Sequence, residues 1–211
     1  MNKNIKSYTH VALVLDASGS MSDLRASTVS TMKEFFESLR SSEDKTVVDL
    51  WQFDDRVRHL IDGEDLAQSA GEAIENYTTG GCTALYDAIC IGIDELGRKF
   101  AAQPEAERPD AVVFAILTDG FENASQRFNV QDVKARIEHQ TKKYSWTFRF
   151  LAANQDAVLT GREMGLDAEA CESMVASAEG VRDVGDRMAQ MCCGEVRLMA
   201  RAARLAKLRR F

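Results

Sequence analysis

"HVALVLD", residues 10–16, is a run in which Val11 to Leu15 are all aliphatic and the last residue is an acid. How that run is read decides the fold. A strand with one face in water alternates apolar and polar side chains, whereas a strand covered on both faces is apolar at every position. Residues 10–16 do not alternate, and neither do residues 111–119, "AVVFAILTD", which end on an acid in the same way. Both read as central strands of a parallel sheet with helices packed on its two faces.

Outward from these runs the helical period takes over. Met32, Phe35, Phe36 and Leu39 recur at helical spacing within residues 23–40, and Leu85, Ala88, Ile89, Ile93 and Leu96 do the same within 84–100. Each segment is a helix with one apolar face. "TVVDLWQFDDRVRHLI", residues 46–61, reads as strand, Asp54-Asp55 turn, strand, an antiparallel pair at one end of the sheet. Leu66, Ala70, Ala73, Ile74 and Tyr77 suggest a further helix over 64–77. Later segments read as a helix over 130–143, a strand over 146–153, a short helix near 156–164, a short strand around 171–176 and a long helix from about 180. Strand and helix alternate almost throughout, so the fold class is α/β, a doubly wound, mostly parallel sheet with helices on both faces and right-handed crossovers.

A chain of 211 residues with 45% hydrophobic content is long enough for one core and short for two. The N-terminal stretch "MNKNIKSYTH" followed by a brief aliphatic run resembles neither an export signal nor a membrane span. The expected compartment is therefore the cytoplasm. Its five cysteines, Cys82, Cys90, Cys171, Cys192 and Cys193, are odd in number and show no C-x-x-C spacing, so they read as reduced thiols. The net charge of −7 disfavours nucleic acid as partner. Residues 197–211 carry six basic residues and no acid, which leaves the remainder at −13, from 20 basic and 33 acidic residues. This basic helical tail, 191–211, is set apart from a domain over 1–190. It reads either as a surface that docks on acidic partners or as a helix end that pairs with its own dipole and with the acidic body.

Ligands of an open parallel sheet bind outside the carboxyl ends of its strands, where the chain order reverses. If the strands over 10–16 and 111–119 are neighbours there, Asp16 and Asp119 emerge side by side. Ser18 and Ser20 share the first loop, and Gly80-Gly81 turn the chain ahead of Thr83 in "YTTGGCTALYDA". Two carboxylates and three hydroxyls make an all-oxygen set, which suits a hard divalent cation. Magnesium takes oxygens at about 2.1 Å and keeps several waters, so few protein ligands are needed. Neutral hydroxyls leave the cation under-neutralised and receptive to a carboxylate from outside.

Asp16-Ala17-Ser18-Gly19-Ser20, Thr83 inside "GGCTALYDA", and Thr118-Asp119-Gly120 resemble the D-x-S-x-S … T … D pattern of von Willebrand factor A domains, the metal-ion-dependent adhesion site. The likeness extends over roughly residues 8–190 and is that of a bacterial-type cytosolic member. It implies a six-stranded, Rossmann-like sheet, parallel except for one edge strand. It implies that Ser18, Ser20 and Thr83 touch the metal, and that Asp16 and Asp119 bind it directly or through water. The metal is expected to be Mg2+, with Mn2+ or Ca2+ as alternatives, and a partner protein's Asp or Glu completes the shell. Nucleic acid and integral membrane are not expected partners.

Plainer readings stand beside these. The serines of "DASGSMSD" also suit helix caps, Ser22 among them. Glu122 and Asn123 read as residues close enough to tune the site or, more simply, as a solvated loop, Asp87 as a loop-orienting acceptor or a surface charge, and Cys82 as a rim thiol with a redox role or, more simply, as a small, partly buried residue. His10, His59 and His139 lie in separate elements and receive no role. No phosphate-binding glycine loop, nucleophile elbow or dinucleotide fingerprint is present, and Ser18 stands where an aspartate-based phosphatase needs a second acid. The expectation is a protein-binding module and not an enzyme. Its alternatives are an adaptor subunit of an AAA+ ATPase or chaperone machine, a metal-dependent hydrolase acting through cation-bound water, and an adhesive surface with a vestigial site.

Overall fold

The computed structural model describes residues 6–40, 44–68, 71–153 and 156–208. Six strands form one sheet: β1 (Tyr8–Asp16), β2 (Lys45–Phe53), β3 (Val57–Asp65), β4 (Ala111–Thr118), β5 (Thr147–Ala152) and β6 (Cys171–Ser173). Their order is β3-β2-β1-β4-β5-β6, and every neighbouring pair is parallel except β2 with β3. The order reverses between β1 and β4.

Why β1 is apolar throughout is visible in the packing. Val11, Leu13 and Leu15 face one layer, with α1 (Arg25–Arg40) and α5 (Ala178–Met191), while Ala12 and Val14 face the other, with α2 (Leu85–Ala101) and α3 (Val130–Tyr144). β4 divides likewise: Val113, Ala115 and Leu117 join the first core, and Val112, Phe114 and Ile116 the second. Successive side chains of a strand point to opposite faces, so two cores require two interleaved apolar sets.

The segment over 64–77 is not the helix its spacing suggests. β3 runs on to Asp65, and only a short 3-10 turn, Glu72–Asn76, follows. Ala70 lies outside the described residues. Gly71 has φ +65, a left-handed conformation that interrupts a right-handed helix, and a Cβ there would stand 2.5 Å from Phe36. Leu66, Ile74 and Tyr77 are still buried, in the core that also takes the apolar face of α1. Ser22 likewise sits inside a 3-10 turn, Gly19–Leu24, that leads into α1, and its carbonyl, not its hydroxyl, receives the Arg25 N–H.

After β5 comes α4 (Ala157–Glu163), and beyond α5 the helix continues through a π-helical turn, Cys192–Val196, into α6 (Arg197–Leu208). The tail turns its cations toward the body. Arg201 pairs with Asp44 at 3.1 Å, Lys207 with Asp110 at 3.0 Å, and Arg197 donates to the Leu39 carbonyl at the end of α1. Arg209 and Arg210 lie outside the described residues.

Candidate functional site

The strand register sets the site. Leu15 pairs with Leu117, so β1 and β4 end level with one another and their last residues reach the same edge. Asp16 is fully buried there, and Asp119 is 4% exposed. Asp16 receives the Ser18 N–H on Oδ1 at 2.8 Å and the Thr118 hydroxyl on Oδ2 at 2.5 Å. Ser20 Oγ donates to Asp119 Oδ1 at 2.6 Å and lies 3.1 Å from Ser18 Oγ. Each carboxylate is thus held by a hydroxyl from the other strand's end, Asp16 by Thr118 and Asp119 by Ser20.

Thr83 joins them from the third loop. A Cβ built on Gly120 would lie 3.2 Å from Thr83 Oγ1 and 3.9 Å from Asp16 Oδ2, so both oxygens flank the same glycine. The loops are also stitched through their backbones. Gly19 donates to the Gly81 carbonyl, Gly80 to the Ala17 carbonyl, and Asn123 to the Thr83 carbonyl. All five residues singled out in the sequence, Asp16, Ser18, Ser20, Thr83 and Asp119, converge on one rim.

The supporting residues were less legible. Asp87 is buried on α2 and accepts the N–H groups of Gln126, Arg127 and Phe128. The loop-orienting reading of Asp87 therefore holds, and the surface-charge reading does not. Glu122 accepts from the N–H groups of Tyr86, Ala124 and Ser125, and the Asn123 side chain accepts the Thr83 N–H at 2.8 Å. That loop is a latch between α2 and β4, even though Phe121 and Asn123 stay exposed to solvent. Tyr77 donates its hydroxyl to the Asp16 carbonyl, a role its apolar spacing concealed. Cys82 is exposed rather than partly buried.

Burial pushes the Asp16 carboxyl above the usual range, against the hydrogen bonds from Thr118 and Ser18, and the charge of Asp119 pushes the same way. Burial, with the charges of Asp16 and Asp119, also raises Tyr77, which keeps its phenol protonated as a donor. Two acids held close in a site of low polarity favour a positive ion between them. The donor set is entirely oxygen, so the residues fit a hard divalent cation.

A second polar cluster lies on the α2 face of the sheet. Asp49, fully buried on β2, takes His10 Nε2 at 2.6 Å and His59 Nε2 at 2.7 Å, one on each oxygen. Asp49, His59 and Asp62 offer atoms within 4.8 Å of one another and could hold a metal. However, the Lys99 ammonium already stands among them, 3.2 Å from Asp49 and 3.0 Å from Asp62, and supplies the positive charge. The cluster is separate from the rim, because Asp49 pairs with Ala12, four residues before Asp16 on β1.

The sequence matches the von Willebrand factor type A domain family over residues 10–172. The chain belongs to that family. Solved structures agree with the assignment. The vWF domain of the type V pili tip protein Mfa5 from Porphyromonas gingivalis superposes with TM-score 0.66 at 13% identity, over 91% of this chain and 97% of that one. The von Willebrand factor type A protein from Catenulispora acidiphila gives 0.63 at 18%, over 90% and 43%. Proximal thread matrix protein 1 from the mussel byssus, solved with a zinc-occupied MIDAS motif, gives 0.62 at 18%, over 89% and 46%. At such identities the likeness is one of fold. This VWA domain spans less than half the length of the last two chains. No curated protein sequence matches it. Among the described residues, no helix is long and apolar enough to cross a membrane.

Proposed function

We propose that this VWA domain is a divalent-cation-dependent protein-binding module. Asp16, Ser18, Ser20, Thr83 and Asp119 hold Mg2+, and an Asp or Glu from a partner protein completes the coordination. The observation that carries the reading is the presence of two carboxylates, both at most 4% exposed, at the sheet's reversal point, each held by a hydroxyl from the neighbouring strand's end, Asp16 by Thr118 and Asp119 by Ser20. Mn2+ or Ca2+ suits the same oxygens less specifically. A zinc-occupied MIDAS in the mussel protein supports a divalent metal in this fold without naming the ion here.

The cation supplies a positive centre with an open position. The chain's own residues do the rest: Thr118 and Ser20 orient the carboxylates, and Asp87, Glu122 and Asn123 fix the loop that carries Asp119. The module is read as non-catalytic because both acids are engaged in holding the rim, Asp16 accepting the Thr118 hydroxyl and Asp119 that of Ser20. A cytoplasmic location accords with five free thiols.

Calorimetric titration of Mg2+ tests the reading directly. Wild-type protein is expected to bind one ion, and Asp16→Ala or Asp119→Ala to lose the heat while circular dichroism shows an intact fold. Equal Mg2+ binding by both variants rejects the site. Metal-stimulated phosphatase or esterase turnover that Asp119→Ala abolishes rejects the binding-only reading.

A further inference from the structure

The rim around the proposed metal site is chemically lopsided. β4, β5 and β6 run side by side with Thr118, Ala152 and Ser173 in register, and the chain leaves all three at one level. Ala153 donates to the Thr118 carbonyl and Met174 to the Ala152 carbonyl, which continues that alignment past the strand ends. Phe121 and Val175 lie three and two residues past the ends of β4 and β6, and Leu159 stands in the first turn of the helix that follows β5; they are 62%, 71% and 59% exposed.

None of the three stands on slack chain. Phe121 lies between Asp119 and Glu122, whose carboxylate gathers three N–H groups. Leu159 sits in the first turn of α4, where its N–H is capped by Asp156 at 3.0 Å. The Val175 carbonyl accepts the Ser177 N–H at the start of α5. On the other side of the site, the β2–β3 turn carries ion pairs, Arg58 with Asp54 and Arg56 with Asp55. Among the described residues that turn exposes no large apolar side chain.

A single exposed hydrophobic residue needs no explanation. Three of them on the segments that follow three consecutive strands, β4, β5 and β6, beside the candidate cation site, give the rim a direction. We propose that the partner segment is acidic and asymmetric: its Asp or Glu meets the cation, and apolar residues on one side of that acid pack over Phe121, Leu159 and Val175. The proposal rests on the metal-dependent reading above and adds the chemistry of the flanking residues. Strands lie about 4.8 Å apart and an extended segment advances about 3.3 Å per residue. The apolar residues therefore fall within about four positions of the acid.

A peptide array with a fixed central Asp or Glu and randomised flanks, probed with the full chain in Mg2+ and again in EDTA, tests this. The expected result is EDTA-sensitive retention with apolar residues enriched on one side only. The double variant Phe121→Ser, Val175→Ser alters only exposed side chains. It should bind the apolar-flanked peptides about tenfold more weakly. It should also retain serine-flanked acidic peptides and give wild-type heat with Mg2+. EDTA-sensitive retention without a one-sided preference, or with one that survives the double variant, overturns this proposal and leaves the metal reading standing. Retention indifferent to EDTA, or none in Mg2+, overturns the metal reading and this proposal with it.

Discussion

Gly81 shows how one residue sets a loop. Its φ is +74, and a Cβ at that position would stand 2.3 Å from Asp55 Oδ1. Backbone strain and collision therefore act together against any side chain. Gly81→Val is expected to destabilise the fold by about 2 kcal/mol and to weaken Mg2+ binding, because Gly81 accepts the Gly19 N–H and precedes Thr83 by two residues. Urea unfolding and calorimetry on the same variant check both outcomes. Cys82→Ser, one position on and exposed, should leave both unchanged. The sequence showed a glycine pair where the chain turns. Which carbonyl the turn presents, and to which loop, followed only from the fold.

At the level of elements, α2 does more than fill a core. Its first turn brings Asp87 against the loop that follows β4, where it takes three backbone N–H groups from residues 126–128. Asp87→Ala leaves those donors without their acceptor, at a cost of about 2–3 kcal/mol in this partly buried setting. The loop then loses its anchor, so Mg2+ affinity should fall several-fold even though Thr83 and Asp119 are untouched. Thermal denaturation and Mg2+ titration of Asp87→Ala, with Asp87→Asn as the shape-conserving control, separate anchoring from charge. Helical spacing put Asp87 on the face of Thr83. It could not supply partners that lie 39 to 41 residues away.

Across the whole molecule, Asp49 ties three strands and a helix together through His10 on β1, His59 on β3 and Lys99 on α2. Tyr8 closes the far side of His10 at 3.0 Å, and Asp62, Glu95 and Lys45 complete the charges around the cluster. Burial lowers the His10 pKa, against the pull of Asp49, so folded His10 is a weaker base than unfolded His10. Burial would raise Asp49, but hydrogen bonds from His10 and His59 hold it far below the usual carboxylate range. At these two groups the unfolded chain therefore binds more protons than the folded one. The stability from His10 is present above 6.5 and is lost as pH falls through the window beneath that value. Asp49 adds a loss of the same sign below 3.8. Through these two groups, thermal melts of wild type should fall on acidification from 6.5, partly offset by Asp16, whose raised pKa adds stability as it takes up a proton. His10→Gln, less stable at neutral pH, should show the shallower decline.

The sequence by itself determined the layers of this molecule. Continuous apolar runs and the 3.6-residue period are local properties, so the strands, the helices α1 to α3 and the antiparallel edge pair were readable without any tertiary contact. The ordered rim residues, Asp16, Ser18, Ser20, Thr83 and Asp119, were readable as well, because their chemistry is unusual for a turn. Only the tertiary structure decided which hydroxyl faces which carboxylate, that β3 runs on to Asp65 with a short 3-10 turn at Glu72–Asn76, that three scattered polar residues meet at Asp49, and which apolar residues stay exposed after the strand ends. The reason is geometric: hydrogen-bond partners and shared edges depend on strand order and register, and these bring together residues that nothing in their local spacing relates.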